Sequence, residues 1–253
     1  IVPHGPLHYL PFQALRLEGK YLIQRNPMSI APSISVAARL AQRTPTTSAQ
    51  LLAFGNPAVN PEVANPLPGA EKEVHELAKE FPGAKLFFRE QANKDNFEAN
   101  APNAKLVHIA AHAMADTLDP LHSKVLLADE NGQANYLEAK DVLGMKLNNV
   151  AMVALSACES GLGRVENGDE VLGFTRSFLS AGTSTLLVSL WPVSDAATEE
   201  LMTTLYTDLA KGLEVQDAMQ QAQLAVMANP ETAHPYYWAP FNLIGNWRLQ
   251  VVK

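Results

Sequence analysis

The chain has 253 residues, 47% of them hydrophobic and 18% charged, which is enough apolar material for one large core and leaves no polar tract that would stay unfolded. A formal net charge of -7 disfavours binding to phosphate backbones, which depends on Lys and Arg displacing counterions, so DNA and RNA are not expected as direct partners. Apolar runs such as Thr185 to Val193 fall far short of the roughly 20 residues of a membrane-spanning helix, and a single cysteine allows no intrachain disulfide; a soluble protein of a reducing compartment, the cytoplasm, is expected.

The first 45 residues read as an opening hairpin, Tyr9 to Leu15 with Tyr21 to Arg25, followed by a helix near Ile34 to Arg43. Residues 1–50 would then form a subregion at the edge of a single domain spanning residues 1–253. Because the chain starts on Ile1 and opens at once on an apolar phrase, it is expected to be the C-terminal part of a longer protein. Leu51 to Gly55 reads as a strand, and Asn56 to Ala70, rich in Pro and Asn, as an exposed loop open to self-cleavage. Glu71 to Phe81 is a helix closed by Pro82 and Gly83, and Lys85 to Arg89 the next strand. A helix around Lys94 to Ala101 leads into Lys105 to Ala111, an apolar run that holds His108 and stops at His112, as a buried parallel strand should.

Val125 to Ala128 is a short added strand, and Leu137 to Met145 is expected to be helical. Val150 to Ala157 is a second apolar strand, ending on Cys158 and the turn-prone Ser160, Gly161 and Gly163. A helix over Asp169 to Ala181, capped by Gly182, precedes a third buried strand from Ser184 to Leu190 that ends in Trp191 and Pro192. Ser194 can cap a helix from Asp195 to about Leu209; another helix spans Gln216 to Met227, and a strand from Phe241 to Trp247 closes the sheet. This alternation of short β-rich runs with helix-periodic segments defines an α/β fold, a mainly parallel central β-sheet with helices on both faces.

In such sheets reactive side chains gather beyond the carboxyl ends of the strands. Three apolar strands end there in His112, in Cys158 and in the stretch from Trp191 to Asp195. If the first two strands are neighbours, their last residues sit about 5 Å apart, close enough for a thiol and an imidazole to share a proton. A thiol has a reference pKa near 8.5, and a following helix N-terminus and a nearby imidazolium both favour the thiolate. The plain alternative for Cys158 is an inert core residue, but its place at a strand-to-turn junction favours reactivity. His108 reads as a satisfied core histidine. Four residues apart on a strand, His108 and His112 lie roughly 13 Å from each other, too far to share a metal, so neither metal nor organic cofactor is expected.

The phrase Leu155-Ser-Ala-Cys-Glu-Ser-Gly-Leu-Gly163 followed by Gly168-Asp-Glu-Val-Leu-Gly173 resembles the nucleophile segment of CHAT-family peptidases, caspase-like enzymes of the same clan as separase. His108-Ile-Ala-Ala-His112, Pro120-Leu121 with Ser123, and Ser189-Leu-Trp-Pro-Val-Ser-Asp195 are similar as well. So are the opening Val2 to Phe12 and the ending Trp238 to Gly245, so the likeness covers essentially the whole chain. The resemblance implies a caspase-like sheet, cleavage of protein or peptide substrates after a chosen P1 residue, and an upstream TPR-like or other sensing module in the same protein.

By the resemblance His112 is the general base and acid and Cys158 the nucleophile, with the oxyanion held by backbone N–H groups of Cys158 and Ala113. The family places Gly directly after the catalytic His; Ala113 tolerates fewer backbone angles, which predicts a distorted oxyanion hole or an inactive site. Asp195 is the first candidate for a pocket that takes basic P1 side chains, with Trp191, Glu159 and Asp169 as further substrate-binding candidates and Glu170 beside them. Asp195, Asp169 and Glu170 have a second reading as ordinary helix-opening residues. The function expected is a cysteine endopeptidase cleaving after a basic residue, and the alternative is a catalytically weak scaffold that binds a partner. An acyl hydrolase or transferase using the same thiol ranks last, because no Gly-x-Ser-x-Gly elbow is present.

Overall fold

The central feature of the computed structural model is a sheet whose strands run almost entirely parallel; residues 1–43, 50–114, 116, 118–130, 133–156 and 169–251 are described. In chain order the strands are β1 (Arg16–Leu17), β2 (Lys20–Tyr21), β3 (Leu51–Pro57), β4 (Lys85–Arg89), β5 (Leu106–Ala110), β6 (Ala113–Met114), β7 (Lys124–Glu130), β8 (Gln133–Glu138), β9 (Met152–Leu155), β10 (Thr185–Ser189) and β11 (Phe241–Gly245). The α-helices are α1 (Ile34–Leu40), α2 (Pro68–Ala78), α3 (Lys94–Asn100), α4 (Ala139–Leu143), α5 (Asp169–Ala181), α6 (Asp195–Ala210), α7 (Val215–Ala228) and α8 (Pro235–Trp238). The large sheet has the order β11-β10-β9-β5-β3-β4, with β11 antiparallel to β10 and the other pairs parallel.

Period-two alternation divides the sheet's side chains between two apolar layers. Leu51, Ala53, Leu106 and Ala110 face one layer, built with α2, α6 and α7; Leu52, Phe54, Val107 and Ile109 face the other, built with α3, α4 and α5. Both faces are covered, which is why β3, β5 and β9 are buried at every position and read in sequence as continuous apolar runs. From β3 the chain passes through α2 to β4 on one flank, then returns through α3 to β5 on the other. The strand order therefore reverses between β3 and β5, the kind of switch point where α/β sheets open a crevice.

Most expected elements appear within one to three residues of their predicted bounds. Helix α2 starts earlier than expected, at Pro68, because proline's fixed φ suits the first helical position and its missing N–H would lack a partner there anyway. The opening hairpin is much shorter than expected. Its strands are two residues each around Glu18 and Gly19, both at positive φ, and 3-10 turns replace the rest. The helix expected from Leu137 to Met145 is a further correction: Leu137 lies in β8, paired with Val125 of β7, and only Ala139–Leu143 is helical. The strand expected at Val125 to Ala128 belongs to a small antiparallel sheet, β6-β7-β8.

Candidate active site

His112 stands where the chain leaves the large sheet after β5 and enters the small sheet at β6. It is held there from several sides. Its carbonyl accepts a hydrogen bond from the Leu126 amide of β7, its side chain is only 3% exposed, and ring atom Nε2 lies 2.7 Å from the carbonyl oxygen of Asn65. A carbonyl accepts only, so the proton sits on Nε2 and the imidazole lone pair on Nδ1. Asn65 belongs to the connection between β3 and α2, at the switch point of the sheet.

That connection is fixed by a few polar contacts. Asn56, at φ 51°, accepts from the Leu67 amide through its side-chain oxygen and donates to Glu71 through its amide. Asn is among the few non-glycine residues that adopt this left-handed conformation readily. Farther along, Asn60 N–H donates to the Asp129 carboxylate, and the Asp129 amide donates to the Ala58 carbonyl, pinning the loop to β7. The segment expected to be an open loop is thus exposed at Asn65 but anchored on both sides of it.

Ala113 shows none of the positive-φ strain that the expectation invoked. It lies in β6, opposite Val125, and is not among the residues with positive φ. Any L-residue accepts that conformation, so alanine strains nothing here. Because the Leu126 amide bonds to His112, Ala113 and Val125 form the next, non-hydrogen-bonded pair, and the Ala113 N–H points away from β7.

Asp195 opens α6, and its Oδ2 would lie 2.6 Å from a Cβ built on Gly69. Its carboxylate therefore packs on the first turn of α2. Glycine at 69 makes the room. Ser194 occupies the cap position of α6 but makes no side-chain cap bond, contrary to expectation. Trp191 donates from Nε1 to the Tyr236 carbonyl at 3.0 Å and stacks on the Tyr236 ring, while the Tyr236 hydroxyl donates to the Pro192 carbonyl. The turn after β10 is thereby tied to α8, with Tyr236 46% exposed at the rim. Sequence reasoning singled out Trp191 but not Tyr236.

His108 is buried as expected. Its Nδ1 lies 3.1 Å from the Tyr206 hydroxyl, and Nε2 is 2.8 Å from Glu73 Oε1 in a contact too bent for a hydrogen bond. Burial, and secondarily the Glu73 charge, pushes the Tyr206 hydroxyl well above its usual pKa. The three side chains join β5, α2 and α6 beneath the site. Cys158 and Glu159 lie outside the described residues, as does the side chain of Asp169, the first residue of α5. Among the described residues no group of three or more His, Cys, Asp or Glu side chains is placed to hold a metal ion.

The doubly covered, mainly parallel sheet with a histidine at its switch point is a caspase-like α/β fold. In solved structures it is similar to the arginine-specific cysteine proteinase gingipain R (TM-score 0.58, 10% identity, 87% of this chain and 54% of that one). It is also similar to the separase of a Saccharomyces cerevisiae separase–securin complex (TM-score 0.62, 16% identity, 94% and 15%). The pattern of the CHAT domain matches residues 1–246, and the chain belongs to that family. Tetratricopeptide repeat protein 28 of Homo sapiens is 29% identical over 97% of this chain, and its Mus musculus counterpart 26% over the same share. The chain spans only 12% of the length of either.

Proposed function

We propose that this domain is a cysteine endopeptidase in which the Cys158 thiolate attacks the peptide carbonyl and His112 carries the proton from thiol to leaving amine. The observation that carries the reading is the His112 ring, buried, with Nε2–H donated to the Asn65 carbonyl and the basic lone pair therefore on Nδ1. Strand register supports it. β5 and β9 are adjacent and parallel, with Leu106 opposite Met152 and Ile109 opposite Leu155, and that same sequence offset separates His112 from Cys158. The outward Ala113 N–H is available to hold the oxyanion together with that of Cys158.

Substrate choice falls to a basic P1 residue, with the Asp195 carboxylate as its partner and the Trp191–Tyr236 stack as an apolar wall. Glu159 and Asp169 are additional acidic candidates. The family membership and the Arg specificity of gingipain R favour this reading, as does the net charge of -7, which attracts basic peptides. Because its curated relatives are tetratricopeptide repeat proteins of much greater length, the domain is proposed to act under control of an upstream repeat module within a longer cytoplasmic chain. The alternative, a catalytically weak scaffold, rests on Ala113 and on the missing upstream regulatory region; the first ground is weakened by the strand conformation of Ala113, which is not at positive φ, and the second stands.

The test is turnover of a fluorogenic peptide library varied at P1. The expected result is cleavage strongest after Arg or Lys, abolished by Cys158→Ala, with Asp195→Ala reducing the preference for basic over neutral P1 roughly tenfold or more. Cleavage that survives Cys158→Ala would sink the dyad, and a P1 profile unmoved by Asp195→Ala would remove that residue from the pocket.

A further inference from the structure

A cavity of about 660 Å³ opens between α1, α5 and the edge strand β11, lined by none of the residues assigned to catalysis or P1 binding. That is the size of pocket that encloses a small organic molecule. Ile30, Leu40, Leu179 and Ile244 contribute apolar surface to it, and all four are core residues of one layer. Arg39, Arg43 and Arg176 also line it, and no Asp or Glu does among the described residues. Three cations without a lining carboxylate are conspicuous in a chain of net charge -7. The arginine ion pairs of the described residues are made elsewhere, by Arg25 and Arg89.

Arg43 is anchored by donation to the carbonyls of Leu179 at 3.2 Å and Thr183 at 2.6 Å. Its partial burial, and then the like charge of Arg39, hold its pKa below the usual arginine value, a repulsion that an anion between them would relieve. Two further lining residues carry buried polar atoms without partners. Thr175 is 6% exposed and Asn242 3% exposed, yet the Thr175 hydroxyl and the Asn242 amide nitrogen have no hydrogen-bond partner among the described residues. Groups of that kind are costly unless something satisfies them.

We propose that this cavity is a binding site for a small amphipathic anion, a phosphate or carboxylate head held by Arg39, Arg43 and Arg176 on an apolar body that lies against Ile30, Leu40, Leu179 and Ile244. The Asn242 amide and the Thr175 hydroxyl supply hydrogen bonds to the polar part. Guanidinium groups suit such a head because their planar fork binds two oxygens at once. The site is independent of the peptidase reading and stands or falls without it.

The domain is titrated with anilinonaphthalene sulfonate, a fluorescent anion on an apolar body, and the dye is then displaced with laurate, with AMP and with inorganic pyrophosphate. One saturable site per chain is expected. The exposed pair Arg39→Ala/Arg176→Ala should weaken it at least roughly tenfold at unchanged melting temperature, and Thr175→Val, which alters no charge, several-fold. Displacement by laurate marks a fatty carboxylate as the matching chemistry, and displacement by AMP but not pyrophosphate marks an organic phosphate with an apolar body. Dye affinity undiminished in the double arginine variant overturns the proposal, as does the absence of saturable binding by dye, laurate and AMP alike.

Discussion

At Gly173 a Cβ would stand 2.0 Å from the carbonyl oxygen of Pro120, an approach that main-chain atoms cannot relieve without moving. The Gly173 end of the glycine-bearing phrase thus meets the Pro120-Leu121 phrase in space, where α5 packs on the 3-10 turn Pro120–His122. Gly173→Ala is expected to cost about 3 kcal/mol through overpacking, read as a lower urea midpoint at unchanged slope. A midpoint equal to the parent's would contradict the contact. Tyr206→Phe deletes the partner of the His108 Nδ1 atom and leaves a buried polar nitrogen, a loss of about 1–3 kcal/mol by the same measurement. An unchanged stability would mean that the His108, Glu73 and Tyr206 group does not brace the layers.

The connection from β3 to α2 carries the element-scale argument. It hangs from Asn56 and Asp129 and presents one carbonyl, that of Asn65, to His112. Asn56→Ala removes the bond to the Leu67 amide and strains a left-handed backbone, so turnover should fall more than the loss of stability alone explains, with Asn56→Asp retaining part of it because its oxygen still accepts. Equal effects on stability with full turnover in Asn56→Ala would show that the loop does not position the ring.

At this same scale the sequence was most and least legible. Fully buried strands such as Leu51–Pro57 and Leu106–Ala110 announce themselves as apolar runs, and a histidine that halts one is visible at once. Leu137 was misread because a six-residue strand beside a polar helix start offers too few periods to separate period two from 3.6; pairing with β7 decided the matter. Asn65 could not be found, because it acts through a main-chain oxygen that any residue would carry. Tyr236 and Gly69 were missed for a related reason: their roles depend on which distant chain segment meets them. Gly69 makes room for Asp195, and Tyr236 for Trp191.

For the molecule as a whole, the two-faced sheet explains how one chain carries two unrelated surfaces. The switch point gathers His112, the Asn65 loop and Asp195's helix, while the β11 edge and α1 enclose a cationic cavity in an otherwise acidic protein. The central claim is tested most directly at the thiol itself, whose alkylation requires no peptide substrate. Cys158 is the only cysteine in the chain, and alkylation by iodoacetamide therefore reports on it alone. Measured across pH for the parent and for His112→Ala, the rate should show a reactive thiolate near neutrality in the parent and a shift of the profile towards the ~8.5 of an ordinary thiol in the variant. Superimposable profiles would contradict a Cys158–His112 dyad.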